Sequence, residues 1–378
     1  MAKKYLGMSI LILLLIVTGC TPNQKDKTEV IQNTEEEEGE TVIIPSLQLD
    51  ETYYRTLFPY KESASRGLVV SNLYTKYDMK EVELGLFRIS QTEFSPDKYL
   101  FQEGQYLDKK TISSWLARNS QTKDGLNPSD EGLTGEEKAL KAPVYVTHIV
   151  EQNYLEVVDK KARLAGVSVG VSLNSIYYYQ KEQYGATFEQ PLTQEQIKKN
   201  GERIAAEIVN RMRQIEGLEE VPIVVGLFEQ NSRNAIVPGS YFQYSVASKG
   251  ANLSDWKPVD EEYIMFPSTD AEKKYRDLNT IFSNFKQDVG IYFSNYTSVI
   301  GRGYFRDQQL QKLTIEIPIQ FYGTAEVIGF TQQLAVLMKN HFPAEMSVEI
   351  QVTSLDGAEA LLVKEAGKED AFVHIYNQ

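Results

Sequence analysis

TQEQIKKNGERIAAEIVNRMRQIEG (Thr193–Gly217) decides how the rest of the chain is read. Thr193 followed three residues later by Gln196 is a capping-box pattern, in which each side chain satisfies the other's free backbone N–H at a helix start. Ile197, Ile204, Ile208, Met212 and Ile215 recur at helical spacing and form one apolar stripe. Gly217 suits the C-terminal stop, where glycine takes the left-handed backbone without steric cost. On either side the period drops from 3.6 to 2. Upstream, Val167, Val169, Val171 and Leu173 alternate with Ser168, Gly170, Ser172 and Asn174, the pattern of a half-buried strand. Downstream, Val221 to Phe228 reads as a second strand. Strand, helix, strand in this order favours parallel neighbours joined by a right-handed crossover.

The order recurs near the C-terminus. Leu313, Ile315, Ile317 and Ile319 alternate with polar residues and Pro318. Thr324 to Met338 is helical in pattern, with Val327, Phe330, Leu334 and Leu337 on one face, and Val348, Ile350 and Val352 alternate again. Asp356 to Gly367 is expected to be one more helix, with Asp356 and Glu359 at capping spacing, and Phe372 to Tyr376 a terminal strand. The expected fold class is α/β, with mixed α+β as the variant. It is built of two related strand–helix–strand units with mixed sheets and long polar loops, of which Gln121 to Gly135 is the clearest. A match at a spacing of 141 residues supports the relation: Gly85-Leu-Phe and Trp115 recur as Gly226-Leu-Phe and Trp256, the only two tryptophans. Duplication would place the units at 46–190 and 191–378.

The N-terminus carries a different signal. Lys3 and Lys4 precede the nearly apolar run Leu6–Val17, which is followed by Thr18-Gly19 and by Cys20, the only cysteine in 378 residues. This is the layout of a secretion signal. Its twelve-residue apolar run falls short of the roughly 20 residues that a membrane span needs. Leu15–Cys20 looks like a lipobox, which implies that Cys20 receives a diacylglyceryl group and becomes the new N-terminus. Residues 1–19 are then a signal peptide, and 20–45 a lipidated cysteine with an acidic tether containing Glu35–Glu38. Two acyl chains hold a protein on a membrane where one does not. The expected location is the outer face of the cytoplasmic membrane.

With Cys20 acylated, the mature chain can form neither a disulfide nor a thiolate metal site. A hydrophobic content of 42% is that of a globular protein, and a formal net charge of −13 argues against nucleic acid as a partner. Gly166-Val-Ser168-Val-Gly170 matches the nucleophile-elbow pattern of serine hydrolases. That chemistry requires a strand-to-helix turn, whereas Ser168 sits inside an alternating strand. His148, His341 and His374 show no second-ligand spacing, so neither a metal nor another cofactor is expected. Gly301-Arg302-Gly303-Tyr-Phe-Arg306 sets two arginines beside two glycines, as an anion-binding loop would, and is the best candidate ligand contact. Tyr177-Tyr-Tyr179 is the densest tyrosine cluster, suited either to a sheet edge or to stacking on a sugar.

Tyr53-Tyr-Arg55, Arg66-Gly67-Leu-Val-Val, the Phe94 to Trp115 segment, Thr193 to Phe228 and the lipobox together resemble the CamS family of Gram-positive lipoproteins, the sex-pheromone precursors. The resemblance implies display on the membrane's outer face and a signal peptide that is the source of a short hydrophobic pheromone. Leu13, Leu14, Leu15, Ile16, Val17, Thr18 and Gly19 are the corresponding heptapeptide. The family's best-known pheromone carries an aromatic residue and an alanine-type ending, whereas this stretch is aliphatic and ends Val17-Thr-Gly19. The resemblance supplies no catalytic residues. The expected function is a non-enzymatic, membrane-anchored lipoprotein whose body binds an envelope ligand or protein. The alternatives are a glycan hydrolase using paired carboxylates about 5–9 Å apart, or a solute-binding lipoprotein of a transporter.

Overall fold

The capped helix at Thr193 forms, and it bridges two parallel strands of a large mixed sheet. The structure, a computed structural model, describes residues 29–33, 41–45, 49, 52–292, 298–320 and 323–376. The signal peptide, Cys20 and the Leu13–Gly19 heptapeptide lie outside the described residues. Strands β1 (Glu29–Asn33), β2 (Thr41–Ile44), β3 (Arg55–Thr56), β4 (Leu100–Glu103), β5 (Val146–Val158) and β6 (Lys161–Asn174) begin the first sheet. After a separate hairpin, β7 (Ile176–Gln180) and β8 (Thr187–Pro191), come β9 (Ile223–Gln230), β10 (Ser240–Ala247) and β11 (Lys257–Pro258). The order across the sheet is β11-β10-β9-β6-β5-β4-β3, with β1 and β2 attached beside β6. Helices α1 (Leu68–Asn72), α2 (Lys76–Ser90), α3 (Lys109–Leu116), α4 (Gly135–Lys141) and α5 (Gln194–Met212) accompany it.

In α5 the capping box is complete, with the Thr193 hydroxyl accepting from the Gln196 N–H at 3.2 Å and Gln196 Oε1 accepting from the Thr193 N–H at 2.9 Å. Ile197, Ile204, Ile208 and Met212 pack on Val167, Val169, Val171 and Leu173 of β6 and on Ile223, Val225 and Leu227 of β9. β6 and β9 run parallel, Val167 beside Ile223, as the crossover requires. Strand β6 is buried on both faces rather than half-buried, because α2 covers the side that carries Ser168, Gly170 and Ser172. The Ser168 and Ser90 hydroxyls meet there at 2.7 Å.

The second sheet runs consecutively through β12 (Glu261–Phe266), β13 (Ile300–Arg306), β14 (Gln309–Pro318), β15 (Val348–Ser354), β16 (Gly357–Lys364) and β17 (Phe372–Ile375). Only β14 and β15 are parallel neighbours, joined through α8 (Thr324–His341). The short α6 (Thr269–Lys274) and α7 (Arg276–Tyr292) precede β13. Phe282, Phe285, Phe330, Leu334 and Met338 cover one face, over Leu313, Ile315, Val348 and Ile350.

The α/β class with mixed sheets holds, and the structure differs from the expected organisation in the following places. The repeat does not extend to structure. Gly85-Leu-Phe lies on helix α2 and Gly226-Leu-Phe on strand β9, while Trp115 belongs to α3 and Trp256 precedes β11. Both glycines are needed for one side chain: a Cβ on Gly85 would stand 2.6 Å from the ring of Tyr241, and one on Gly226 2.7 Å from it. The change of sheet falls between β11 and β12, near residue 260. A boundary at 190/191 would cut the first sheet at its own crossover. Asp356 to Gly367 is a hairpin and not a helix. Ser354 pairs with Gly357, which has φ 133°, and Ala360, Leu362 and Lys364 are buried in period 2. Part of the expected tether also docks. Thr41–Ile44 is rich in β-branched residues and pairs with Glu29–Asn33, Asn33 lies beside Ala162 of β6, and Ile44 is buried near Leu57, Leu100 and Leu155.

Candidate functional site

Helix α2 is the wall between two cavities. Thr75 caps it, its hydroxyl accepting from the Asp78 N–H at 3.0 Å. The buried Asp78 carboxylate accepts from the Gly239 N–H at 2.7 Å, which fixes the helix start against the approach to β10. Leu84 lines both cavities. Glu83 and Phe87 face the first of them, and Lys76, Tyr77, Lys80 and Glu81 the second.

The first cavity, of about 300 Å³, lies beside the Arg66-Gly67 turn. Its apolar lining comes from Val69, Leu84, Phe87, Phe101 and Val150, and its polar lining from Ser63, Ser65, Arg66, Glu83, Glu103 and His148. Glu103 is the organiser. It accepts from Arg66 Nη2 at 2.7 Å, from the Ser63 N–H at 2.6 Å and from the Tyr60 hydroxyl. Burial works against its ionisation, but these donors hold its carboxyl below the ordinary range. Glu83, exposed to solvent on one side, shifts the other way, raised by partial desolvation and then by the charge of Glu103. Two carboxylates thus share a cavity with opposite proton affinities. Tyr60 is pushed up to about 12 by burial and by its bond to Glu103. His148 is buried, and burial lowers it to about 4, so the ring is neutral. Its sequence neighbour Glu151 accepts from the N–H groups of Gln105, Tyr106 and Leu107 at 2.7–3.1 Å, a backbone nest that occupies the carboxylate. No group of three or more His, Cys, Asp or Glu able to hold a metal is present among the described residues.

The second cavity, of about 380 Å³, opens between α2 and the uncovered face of the second sheet. Behind it lies a buried ionic cluster. Arg88 of α2 meets Glu81 of its own helix and reaches Glu261 of β12 at 2.7 Å, and Tyr263 donates to Glu81 at 2.6 Å. Tyr304 donates to Glu261 at 2.7 Å, and Arg306 lies 2.8 Å from the same oxygen. Burial opposes the charge on Glu261, yet Arg88, Tyr304 and Arg306 hold it below the ordinary range. Glu81 is raised, because its burial outweighs its share of Arg88.

The Gly301–Arg306 stretch is therefore strand β13 and not a loop, and the structure separates its two arginines. Arg306 is engaged by Glu261. Arg302 lines the cleft, with its guanidinium carbon 5.4 Å from the Tyr77 ring and an amino group 3.9 Å from Glu316. Gly301 and Gly303 face Phe282 and Phe266 in the core instead of forming a left-handed turn. Tyr178 packs against Tyr74 and beneath Arg233, and Tyr177 lies under Arg118, so this cluster is a packed edge. His341 ends α8 and bonds Asp288 at 2.8 Å; His374 lies on β17 against Tyr376. Sequence reasoning missed Glu83, Glu103, Lys76 and Lys80. The one readable signal was Lys76 opening a capped helix, where the dipole disfavours a cation.

A family model described as CamS sex pheromone cAM373 precursor matches residues 60–370. The crystal structure of a sex pheromone precursor from Lactobacillus salivarius subsp. salivarius UCC118 superposes with a TM-score of 0.83 at 34% identity, covering 89% of this chain and 99% of that one. The C-terminal domain of the sex pheromone staph-cAM373 precursor from Staphylococcus aureus gives a TM-score of 0.70 at 32% identity, covering 81% and 99%. Among curated proteins none matches. The family model describes pheromone precursors, and no helix of the described residues is long and apolar enough to cross a membrane. With over four-fifths of its length inside the family model, the chain belongs to the CamS sex pheromone cAM373 precursor family.

Proposed function

We propose that the chain is exported, cleaved before Cys20 and held on the outer face of the cytoplasmic membrane by the lipid on Cys20. The released leader then yields the aliphatic peptide Leu13–Gly19, and the folded body serves as a binding module without turnover. The leader and the lipobox-like Leu15–Cys20 support the first half. Growth with an alkyne-tagged fatty acid should label the wild type and leave Cys20→Ala unlabelled. Labelling of both would refute the anchor, and mass spectrometry of the medium should find the heptapeptide only when Cys20 is present.

The cavity beside Arg66-Gly67 carries the second half. Its apolar lining and polar rim suit a ligand with an apolar body and one donor-rich end. Glu83 defines that end: its side chain is exposed, its ionised form is disfavoured by partial desolvation and by the charge of Glu103, and a seated ammonium group would offset that repulsion. The ligand class is a short aliphatic peptide or a similar amine in the cell envelope. Saturating ligand at 100 times its Kd stabilises a protein by about 2.7 kcal/mol. A melting shift with amine-bearing aliphatic probes, absent in Glu83→Gln, is the expected result, and a flat response would retire this reading.

One observation favours a second reading, an envelope hydrolase using paired carboxylates. Glu83 and Glu103 share a cavity with proton affinities displaced in opposite directions, as an acid and a base require. Cleavage of a wall glycan by wild type and not by Glu83→Gln would establish it; intact glycan after long incubation would dismiss it.

A further inference from the structure

The cleft between α2 and the second sheet carries a charge opposite to that of the molecule around it. Lys76, Lys80, Arg302 and Lys312 line it, in a chain of formal net charge −13. Lys76 and Lys80 stand one turn apart and exposed on α2, and Lys76 opens the helix, where the dipole already makes the potential positive. The dipole disfavours a cation at this first position, and Lys80 extends the same positive face one turn further. The facing wall is set by strand register. Tyr304 pairs with Lys312 and Arg302 with Thr314, which puts the two cations on one face of the sheet in adjacent rows. Acids temper the cleft only in part: Glu349 lies 2.6 Å from Lys312 and also feels the charge of Lys80, Glu316 is 3.9 Å from Arg302, and Glu81 is taken by Arg88 and Tyr263. Between the walls, the Tyr77 ring has Lys76 Nζ at 5.3 Å and the Arg302 guanidinium carbon at 5.4 Å.

We propose that this cleft binds a flexible chain of phosphodiester-linked polyol or sugar units. A phosphodiester keeps its charge at every pH the envelope meets, and cations on two opposed walls can take both free oxygens of one phosphate. Tyr77 offers its ring to the C–H faces of the intervening unit. The volume of about 380 Å³ admits a thin single chain. A nucleic-acid duplex would carry its charge out onto the acidic surface and be repelled. This inference rests on the cation cluster and not on the Arg66-Gly67 cavity, so the two stand or fall separately.

The test titrates the full chain, kept soluble in detergent, with a fluorescent glycerol-phosphate oligomer. Binding should weaken with salt, with a log–log slope of about −3 if four phosphates are neutralised at roughly 0.7 each. Lys80→Gln with Arg302→Gln should weaken binding at least tenfold, and Lys273→Gln on exposed α6 should leave it unchanged. Lys76→Gln with Lys80→Gln touches only exposed side chains, so it carries the test if the first pair lowers the melting point. Absence of binding at low salt would overturn the proposal, as would equal binding by the cleft variants. Equal affinity for polygalacturonate or for a thymidine oligomer would also overturn it, by showing a response to charge alone.

Discussion

Tyr241 is buried between a helix and a sheet, with its hydroxyl donating to the Val82 carbonyl at 2.7 Å. The space for its ring exists because Gly85 and Gly226 lack a Cβ. Gly85→Ala is therefore a discriminating substitution. Alanine is the better helix former by about 1 kcal/mol, but its methyl would overlap the ring at 2.6 Å. Denaturant titration should show a net loss of about 1–3 kcal/mol, and a gain would mean that the ring is not held there. His148 sets a second expectation at this scale. Its folded pKa of about 4 lies below the unfolded value near 6.5. The unfolded state therefore binds the extra proton between these values, and stability falls as pH drops through that window. The full effect is about 3 kcal/mol. Stability curves at pH 7 and pH 4.5 should converge in His148→Phe relative to wild type; an unchanged pH slope would contradict the buried, neutral ring.

At the scale of the element, α2 does three jobs: it covers the second face of β6, separates the two cavities and carries Arg88 to the second sheet. Arg88 is the only cation that touches both Glu81 and Glu261 among the described residues, so Arg88→Met leaves two buried carboxylates without their shared partner. Breaking a buried pair from one side costs about 3–5 kcal/mol. The cost should appear as a split of the unfolding curve into two transitions, because the cluster ties the first sheet's helix to the first strand of the second sheet. A single transition at the wild-type midpoint would show that the sheets are coupled by other means. Helix α5 shows what sequence can specify by itself, since its cap and stripe are local, although it ends at Met212 with Arg213 as its C-cap, ahead of the stop expected at Gly217. The Asp356–Gly367 segment shows the converse. Its capping spacing is as good on paper, but the buried set Ala360, Leu362 and Lys364 follows the pleat of a sheet in which this strand pairs with β15 on one side and β17 on the other.

For the whole molecule, the two crossovers, most strands and the α/β class were legible because parallel pairing around a helix leaves its pattern inside about sixty residues. The join between the sheets was not, because it is made by Glu81, Arg88 and Glu261, whose sequence positions carry no periodic signal. The Gly-Leu-Phe match misled for a related reason: one ring recruits a glycine from a helix and another from a strand. The Arg302 candidate was legible as chemistry but not as geometry, since its partners on α2 lie more than two hundred residues earlier. The cavity beside Arg66-Gly67 has the same origin, assembled from α2, β4 and β5. Its role as a binding site is the central claim. Calorimetric titration of the full chain with the Leu13–Gly19 heptapeptide, free or acetylated at its amino end, tests that claim most directly. Saturable binding of the free peptide, weakened tenfold or more by acetylation and by Glu83→Gln, is the predicted result; no heat with either peptide, or equal affinity for both, would contradict it.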